Sequence, residues 1–499
     1  MMRLRRRLAG AALAALLLVG AAGCTTNPAT GEREFTPFLS PAQERQAGEQ
    51  QHPAVLAQFG GAYEDPELQA YVERIGQRLA EVSELPEQDF TFTVLNTDVI
   101  NALALPGGYV YVTRGLVALA DSEAELAGVL GHEIGHVTAR HAAQRTTRSV
   151  FGQLGQAALT VLGGVLAGQA GAELGSAVGG VGGSAYAQSY SRDQEFEADD
   201  LGVRYLVRAG YDPAAMAGFL RTMNRQSELE RQLAGGGGGE DPGLSWFASH
   251  PRTLDRVERV VAEVEEAMAG EQGRVGREEF LEAIDGLVFG EDPAQGLLRG
   301  RTFIHPELRF AFEAPEGFRL QNLPQAVIGQ GPGGRVMIFD AAPVAPGRGV
   351  EAYLARDWAR GASPRQVQTF EVNGMEAAGA LVDVQIGGRP AVALLVAIRH
   401  GADRVYRFVF ASQGGIGRGE LAAYNAAIGS FRRLGAEEAA EIRPRRIEIV
   451  TVRPGETVEA LARRMAVDEL PRERFLVLNN LEPGDELEPG RRVKIVTEG

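Results

Sequence analysis

His132-Glu133-Ile134-Gly135-His136 is the stretch on which the reading of this chain turns. It sits in a segment where Leu126, Val129, Leu130, Ile134 and Val137 recur at helical spacing, opened by Ser122 with Glu125 three positions later in the pattern of a capping box. On a helix, histidines at i and i+4 share one face about one turn apart, where both imidazoles can hold one Zn²⁺. Glu133 stands beside them, placed to act as general base toward an attacking water. Only 7 His occur among 499 residues, so chance rarely assembles this pattern. The competing reading is two core histidines on an amphipathic helix.

A hydrolytic zinc site takes three protein ligands and keeps one position open. Ser191-Arg192-Asp193-Gln194-Glu195-Phe196-Glu197-Ala198-Asp199 offers carboxylates at i and i+4 on a second helix. This spacing puts Glu195 on the metal and Asp199 behind a ligand imidazole, where a carboxylate fixes the tautomer. Glu197 then points elsewhere. His141, five residues beyond His136, falls off the ligand face and reads as a structural or rim histidine. Ala139 and Ala142 occupy the positions where a metzincin ligand set needs Gly and His, so that set is excluded.

Together with Asn101-Ala102-x-Ala104-x-Pro106-Gly107-Gly108 upstream, and Ser249-His250-Pro251 with Arg256 downstream, these residues resemble the zinc metallopeptidase family of HtpX, the Oma-type proteases and the CAAX prenyl proteases. The similarity extends to its exported branch without membrane spans, which includes BepA-type lipoproteins, and it runs to about Met268. It implies a zincin fold of the gluzincin type, endopeptidase activity, one Zn²⁺ on His132, His136 and Glu195, and Glu133 as base. Charge developing on the tetrahedral oxygen needs a donor, for which His250 and Arg256 are the candidates. His250 has an alternative place, the fourth zinc position of a latent state, with the glycine run Gly235 to Gly239 supplying loop motion. Tyr109-Val110-Tyr111-Val112 is read either as an edge strand that pairs with an extended substrate or as an ordinary inner strand.

Outside the motif, composition narrows the class. Lys+Arg 50 against Asp+Glu 65 leaves a formal charge of −15, which excludes nucleic acid as a partner because phosphate neutralisation needs a basic face. A single cysteine excludes an internal disulfide and a cysteine-rich metal site. That cysteine, Cys24, follows Arg3, Arg5, Arg6 and Arg7, an apolar run from Leu8 to Val19, and Ala21-Ala22-Gly23. The layout is that of a secretory signal with a lipobox, although Ala21 stands where such boxes carry a larger aliphatic residue. Lipidation at Cys24 anchors the chain to a membrane, and Thr25 directs it to the outer membrane facing the periplasm; simple cleavage instead leaves a soluble exported protein. Lys494 is the only lysine.

The fold class expected is α+β multidomain. Residues 1–23 read as a signal peptide, 24–44 as a lipidated tether and 45–299 as the mainly helical peptidase domain. Between Arg148 and Glu173 no charge occurs, and the Gly/Ala-rich stretch to Ala187 reads as a lid over a groove or as a membrane span. Short alternating segments over 300–435 indicate a small antiparallel α+β accessory domain, loosely similar to PsbP-like domains. After a linker at 436–446, residues 447–499 run strand, helix, helix, strand and resemble a LysM module, which implies binding of N-acetylglucosamine-containing glycans such as peptidoglycan. The function expected is a zinc endopeptidase that cleaves extended, unfolded or misassembled envelope proteins. Its rival is a non-enzymatic envelope chaperone or assembly scaffold with a structural zinc and a glycan-binding tail.

Overall fold

A computed structural model describes residues 24–36, 39–146, 190–233, 246, 250, 256, 259–260, 273–360, 362, 364–386 and 389–499. The signal-like segment 1–23, the Gly/Ala-rich stretch after Arg148, the glycine run 235–239 and most of the residues from Pro251 to Met268 lie outside the described residues. Two units are present. One comprises the chain up to Leu56 with Gly61–Phe289 and Arg446–Thr497; the other comprises Ala57–Gly60, Gly290–Arg445 and Glu498–Gly499.

The first unit begins with a correction. Residues expected as a tether form a hairpin in which β1 (Cys24–Thr26) pairs antiparallel with β2 (Arg33–Phe35). Asn27 closes it, its side-chain oxygen accepting from Ala29 N at 2.9 Å while Gly31 supplies the left-handed φ of 74°. Helix α1 (Pro41–Gln58) follows, then α2 (Pro66–Glu81), capped by the Asp65 carboxylate on Leu68 N and burying the periodic residues Leu68, Val72, Ile75 and Leu79.

A three-stranded sheet of β3 (Thr91–Leu95), β4 (Ala102–Leu105) and β5 (Tyr109–Thr113) has the order β3-β5-β4. Tyr109 to Val112 is therefore the middle strand, which settles the choice left open by the sequence, and the edges are Thr91–Leu95 and Ala102–Leu105. The reason is the Pro106-Gly107-Gly108 turn: both glycines take positive φ, 86° and 96°, and fold β4 back antiparallel onto β5.

Helices α3 (Arg114–Leu119), α4 (Glu123–Thr138), α5 (Arg192–Ala209) and α6 (Ala214–Leu233) complete the layer around the motif. α4 is buried nearly all round. It meets α5 at glycines: a Cβ at Gly202 would stand 3.1 Å from His132 N, and one at Gly135 would stand 3.1 Å from Ala198 O. This close approach lets ligands on the two helices meet. α7 (Arg277–Ile284) and β6 (Val288–Phe289) end the segment.

In the second unit the alternating segments form a seven-stranded antiparallel sheet with Arg404–Gln413 at its middle, flanked by Arg335–Pro343 and Arg389–Arg399. The helix Arg418–Ser430 buries Tyr424, Ala427 and Ile428 in the same cluster as Phe339, Phe408 and Phe410. Val350, Tyr353 and Leu354 share a second cluster with Ala378, Val382 and Leu395. The two clusters alternate along Met375–Ile386, as the two faces of a strand do.

Residues 446–497 return to the first unit. β7 (Arg445–Thr451), α8 (Val458–Ala462), α9 (Pro471–Leu478) and β8 (Arg492–Glu498) follow in the order strand, helix, helix, strand, and the sheet they form takes in β6. Leu461, Phe475, Val493 and Ile495 belong to one apolar core with Leu126, Leu130 and Leu206. A module hung on a linker would keep its own core, whereas this segment completes the core of the unit that carries the motif. Lys494 is fully buried there, its ammonium donating to the carbonyls of Ala118, Leu119 and Ala120 at 3.2, 3.3 and 2.6 Å.

Candidate metal centre

Ser122 starts α4 by accepting from Glu125 N at 3.2 Å. The Glu125 carboxylate does not close the expected box; it reaches past Ser122 to Asp121 N at 2.7 Å. Ten residues along the same helix, His132 and His136 project from one face, with Nε2 atoms 3.0 Å apart. α5 starts at a complete capping box, Ser191 with Gln194, which sets the rotation that brings Glu195 to the pair. Its Oε1 lies 3.5 Å from His136 Nε2 and its Oε2 lies 3.8 Å from His132 Nε2.

His250 is the fourth member. Its Nδ1 is 3.2 Å from His132 Nε2 and 2.9 Å from Glu195 Oε1, and its Nε2 is 3.4 Å from Glu133 Oε1. One donor atom from each of His132, His136, Glu195 and His250 falls within 4.8 Å of the others, and all four residues are buried. A metal fits this set. Three imidazoles and a carboxylate converging at that spacing have the ligand chemistry of a zinc site, and both carboxylate oxygens of Glu133 are buried without a hydrogen bond among the described residues.

The surroundings orient each ligand. Asp199 Oδ1 lies 2.9 Å from His132 Nδ1, the placement that the spacing on α5 predicts. Arg256 grips Asp199 with Nε and Nη2, both at 2.8 Å, and reaches Glu195 Oε2 with Nη1 at 2.6 Å. This corrects the expectation of Arg256 as an oxyanion donor: the guanidinium is buried and committed to two carboxylates, so it holds the third ligand rather than facing a substrate. Two rings close the centre, Tyr190 stacked on His136 at 3.8 Å between centroids and Trp246 stacked on His250 at 4.1 Å.

Electrostatics follow from burial and these pairs. Burial pushes the Glu133 carboxyl up to about 8, against the pull of the neighbouring His132. Burial and the adjacent His132, His141 and His250 hold His136 well below its usual range, leaving it a neutral ligand at neutral pH. For Asp199 burial opposes ionisation, yet hydrogen bonds from Arg256 and His132 outweigh it and bring the carboxyl down to about 2.

Beside His136 opens a cleft of about 80 Å³, lined by Ala104, Leu105, Pro106, Val137 and Tyr190 among others. Asn101 O accepts from Thr113 N, so the alternation of an antiparallel ladder turns the amides of Ala102 and Ala104 to the outer edge of β4, where no strand pairs among the described residues.

Tyr190 and Trp246 were not singled out in the sequence, and Ala102 and Ala104 entered only through the resemblance, not as an edge strand. Trp246 lies four residues before His250, a helical spacing that connects the two, but Tyr190 carries no local signal. Cys24 is the first residue of β1, and among the described residues no helix is long and apolar enough to cross a membrane.

Residues 66–264 match the family model described as Peptidase family M48. The chain is 40% identical over 171 residues to the beta-barrel assembly-enhancing protease of Yersinia pestis, covering 33% of this chain and 34% of that one. It is 35% identical over 198 residues to the protein of that name from Escherichia coli, covering 38% and 39%. It thus spans little more than a third of the length of these relatives. To the metalloprotease YcaL of Escherichia coli it is 30% identical over 192 residues, 38% of this chain and 69% of that one. The matched segment carries the two histidines of α4, Glu195 and Asp199 of α5, and His250 with Arg256, the residues that the fold gathers around one buried point. The chain belongs to peptidase family M48.

Proposed function

We propose that this protein is a zinc-dependent endopeptidase of the bacterial cell envelope that acts on extended segments of unfolded or misassembled exported proteins, and that His250 keeps it latent. The observation that carries the reading is the convergence of His132, His136 and Glu195 beside a buried Glu133 whose carboxylate makes no hydrogen bond among the described residues. When bound, zinc supplies Lewis acidity toward a water and the scissile carbonyl. Glu133 takes the proton from that water and returns it to the leaving amine, a task suited to a carboxyl held near neutral by burial. Asp199 and Arg256 keep His132 and Glu195 in place throughout.

The preference for extended chains is supported by the outward amides of β4 alongside the cleft, which no described strand pairs, since backbone pairing at a sheet edge asks for an unfolded segment and little sequence. Latency is supported by His250, whose Nδ1 occupies the ligand cluster that an attacking water has to enter. The envelope setting is supported by the basic and apolar residues before Cys24 and by relatives named for β-barrel assembly. A lipid anchor at Cys24 and glycan contact through 447–499 belong to the same proposal; the strand-helix-helix-strand order supports the latter.

The test is cleavage of reduced, unfolded casein by the purified chain and its His250→Ala variant, with and without chelator. The variant is expected to cut faster than the parent, and chelation to stop both. A His250→Ala variant that is slower than the parent removes the latency, and a zinc-loaded His250→Ala variant that cuts nothing removes the peptidase.

A further inference from the structure

α4 ends at Thr138, and the chain then turns sharply through Arg140, whose φ of 54° is a left-handed conformation that a long side chain rarely adopts. The turn is held from outside. Arg140 Nε donates to the Glu44 carboxylate at 3.1 Å, Nη2 donates to Leu39 O at 2.8 Å, and Nη1 donates to the Thr25 hydroxyl of the N-terminal hairpin. Its effect is to bring His141, fully buried, back against the metal helix with Nδ1 2.7 Å from His136 Nδ1.

The proton order along this contact follows from the geometry. His136 turns Nε2 to His132 and Glu195, so Nδ1 is the nitrogen left to donate. His141 Nδ1 must then accept, which places its own proton on Nε2, and that nitrogen meets Glu197 Oε2 at 3.2 Å. Asn27, buried in the hairpin turn, donates to the other oxygen of Glu197 at 3.4 Å. The donors and acceptors alternate without conflict from the hairpin to the ligand. Glu197, read from its helical position as facing away from the site, is where this line ends.

We propose that His141, Glu197 and Asn27 are positioning residues for His136, so that the N-terminal hairpin is a working part of the metal site. The arrangement does for His136 what Asp199 does for His132, with one imidazole inserted between ligand and carboxylate. None of the three touches the reacting atoms; they fix the tautomer and ring orientation of the ligand. The proposal rests on the zinc-site reading, but its measurement is metal affinity and needs no peptide cleavage.

The test is zinc affinity of the full chain, measured by competition with a chromophoric chelator at neutral pH, alongside the melting temperature of the metal-free protein. Glu197→Ala and His141→Ala are expected to weaken zinc binding by about 10–100-fold. Glu197→Gln, whose amide oxygen still accepts from His141, is expected to restore most of it, which a merely structural role would not do. Asn27→Ala is expected to cause a smaller loss in the same direction. Glu197 is partly exposed, so its variants keep the test open if His141→Ala fails to fold. Affinities of Glu197→Ala within twofold of the parent, or no recovery in Glu197→Gln, overturn the proposal. A parent that binds no zinc overturns both this and the peptidase reading; relay-dependent zinc binding in a chain whose His250→Ala variant cleaves no casein overturns the peptidase reading alone.

Discussion

Lys494→Met tests whether residues 446–497 belong to the body that carries the metal centre. The ammonium donates to the carbonyls of Ala118 and Leu119 at the end of α3 and of Ala120 just beyond it, with Asp121 Oδ1 at 3.9 Å. Methionine fills the space of the stem but leaves three buried acceptors at the entrance to the metal helix. Each orphaned carbonyl costs about 1–3 kcal/mol. Burial of the ammonium, which draws its pKa down to about 8, offsets part of that when the charge is removed. The net expectation is about 3 kcal/mol, the lower end of what breaking a buried charged arrangement costs. For a unit of more than 300 residues, unfolding with about 2.1 cal/mol/K per residue, that lowers the melting temperature by roughly 4–5 °C. Scanning calorimetry on the metal-free chain reads it. Arg492→Ala on the same strand is the control, since its ion pairs with Glu278 and Glu282 lie at the surface and are worth at most about 1 kcal/mol. A Lys494→Met melting temperature within about 2 °C of the parent would refute the reasoning.

Zinc uptake by the metal-free protein should release protons. Glu133 holds a proton up to about pH 8, and a cation beside it favours the carboxylate, so titration calorimetry at pH 6.5 in buffers of different ionisation heat should show release of about one proton, fading above pH 8. His136 contributes none, because its pKa already lies well below its usual range. Equal heats in all buffers would contradict this. Ala104→Pro removes an outward amide from the edge of β4, where proline is tolerated; casein cleavage should fall about 10-fold or more with zinc content unchanged, and unchanged cleavage would move the substrate elsewhere.

Local periodicity made much of this architecture legible. The spacing of His132 and His136, the carboxylates of α5, and the caps at Asp65, Ser122 and Ser191 are all written within one or two helical turns. What escaped depends on contacts between distant segments or on backbone conformation. The left-handed turn at Arg140 breaks the helical rotation that would carry His141 and Glu197 apart. The polar, Pro-containing start of the described chain looks like a tether, yet Asn27 and Thr25 find partners on α5 and after α4. The βααβ pattern of the C-terminal segment is readable locally, whereas its insertion into the peptidase core depends on which apolar faces meet, and no linear pattern encodes that.

Zinc content and casein cleavage, measured side by side for His250→Ala and for His250→Ala/Glu133→Gln, address the central claim most directly. Both proteins should carry about one zinc per chain, because Glu133 is not a ligand. The double variant should lose cleavage by about 10²–10⁴-fold. Equal cleavage by the two would contradict the assignment of Glu133 as the base, and with it the account of this buried centre as a peptidase site.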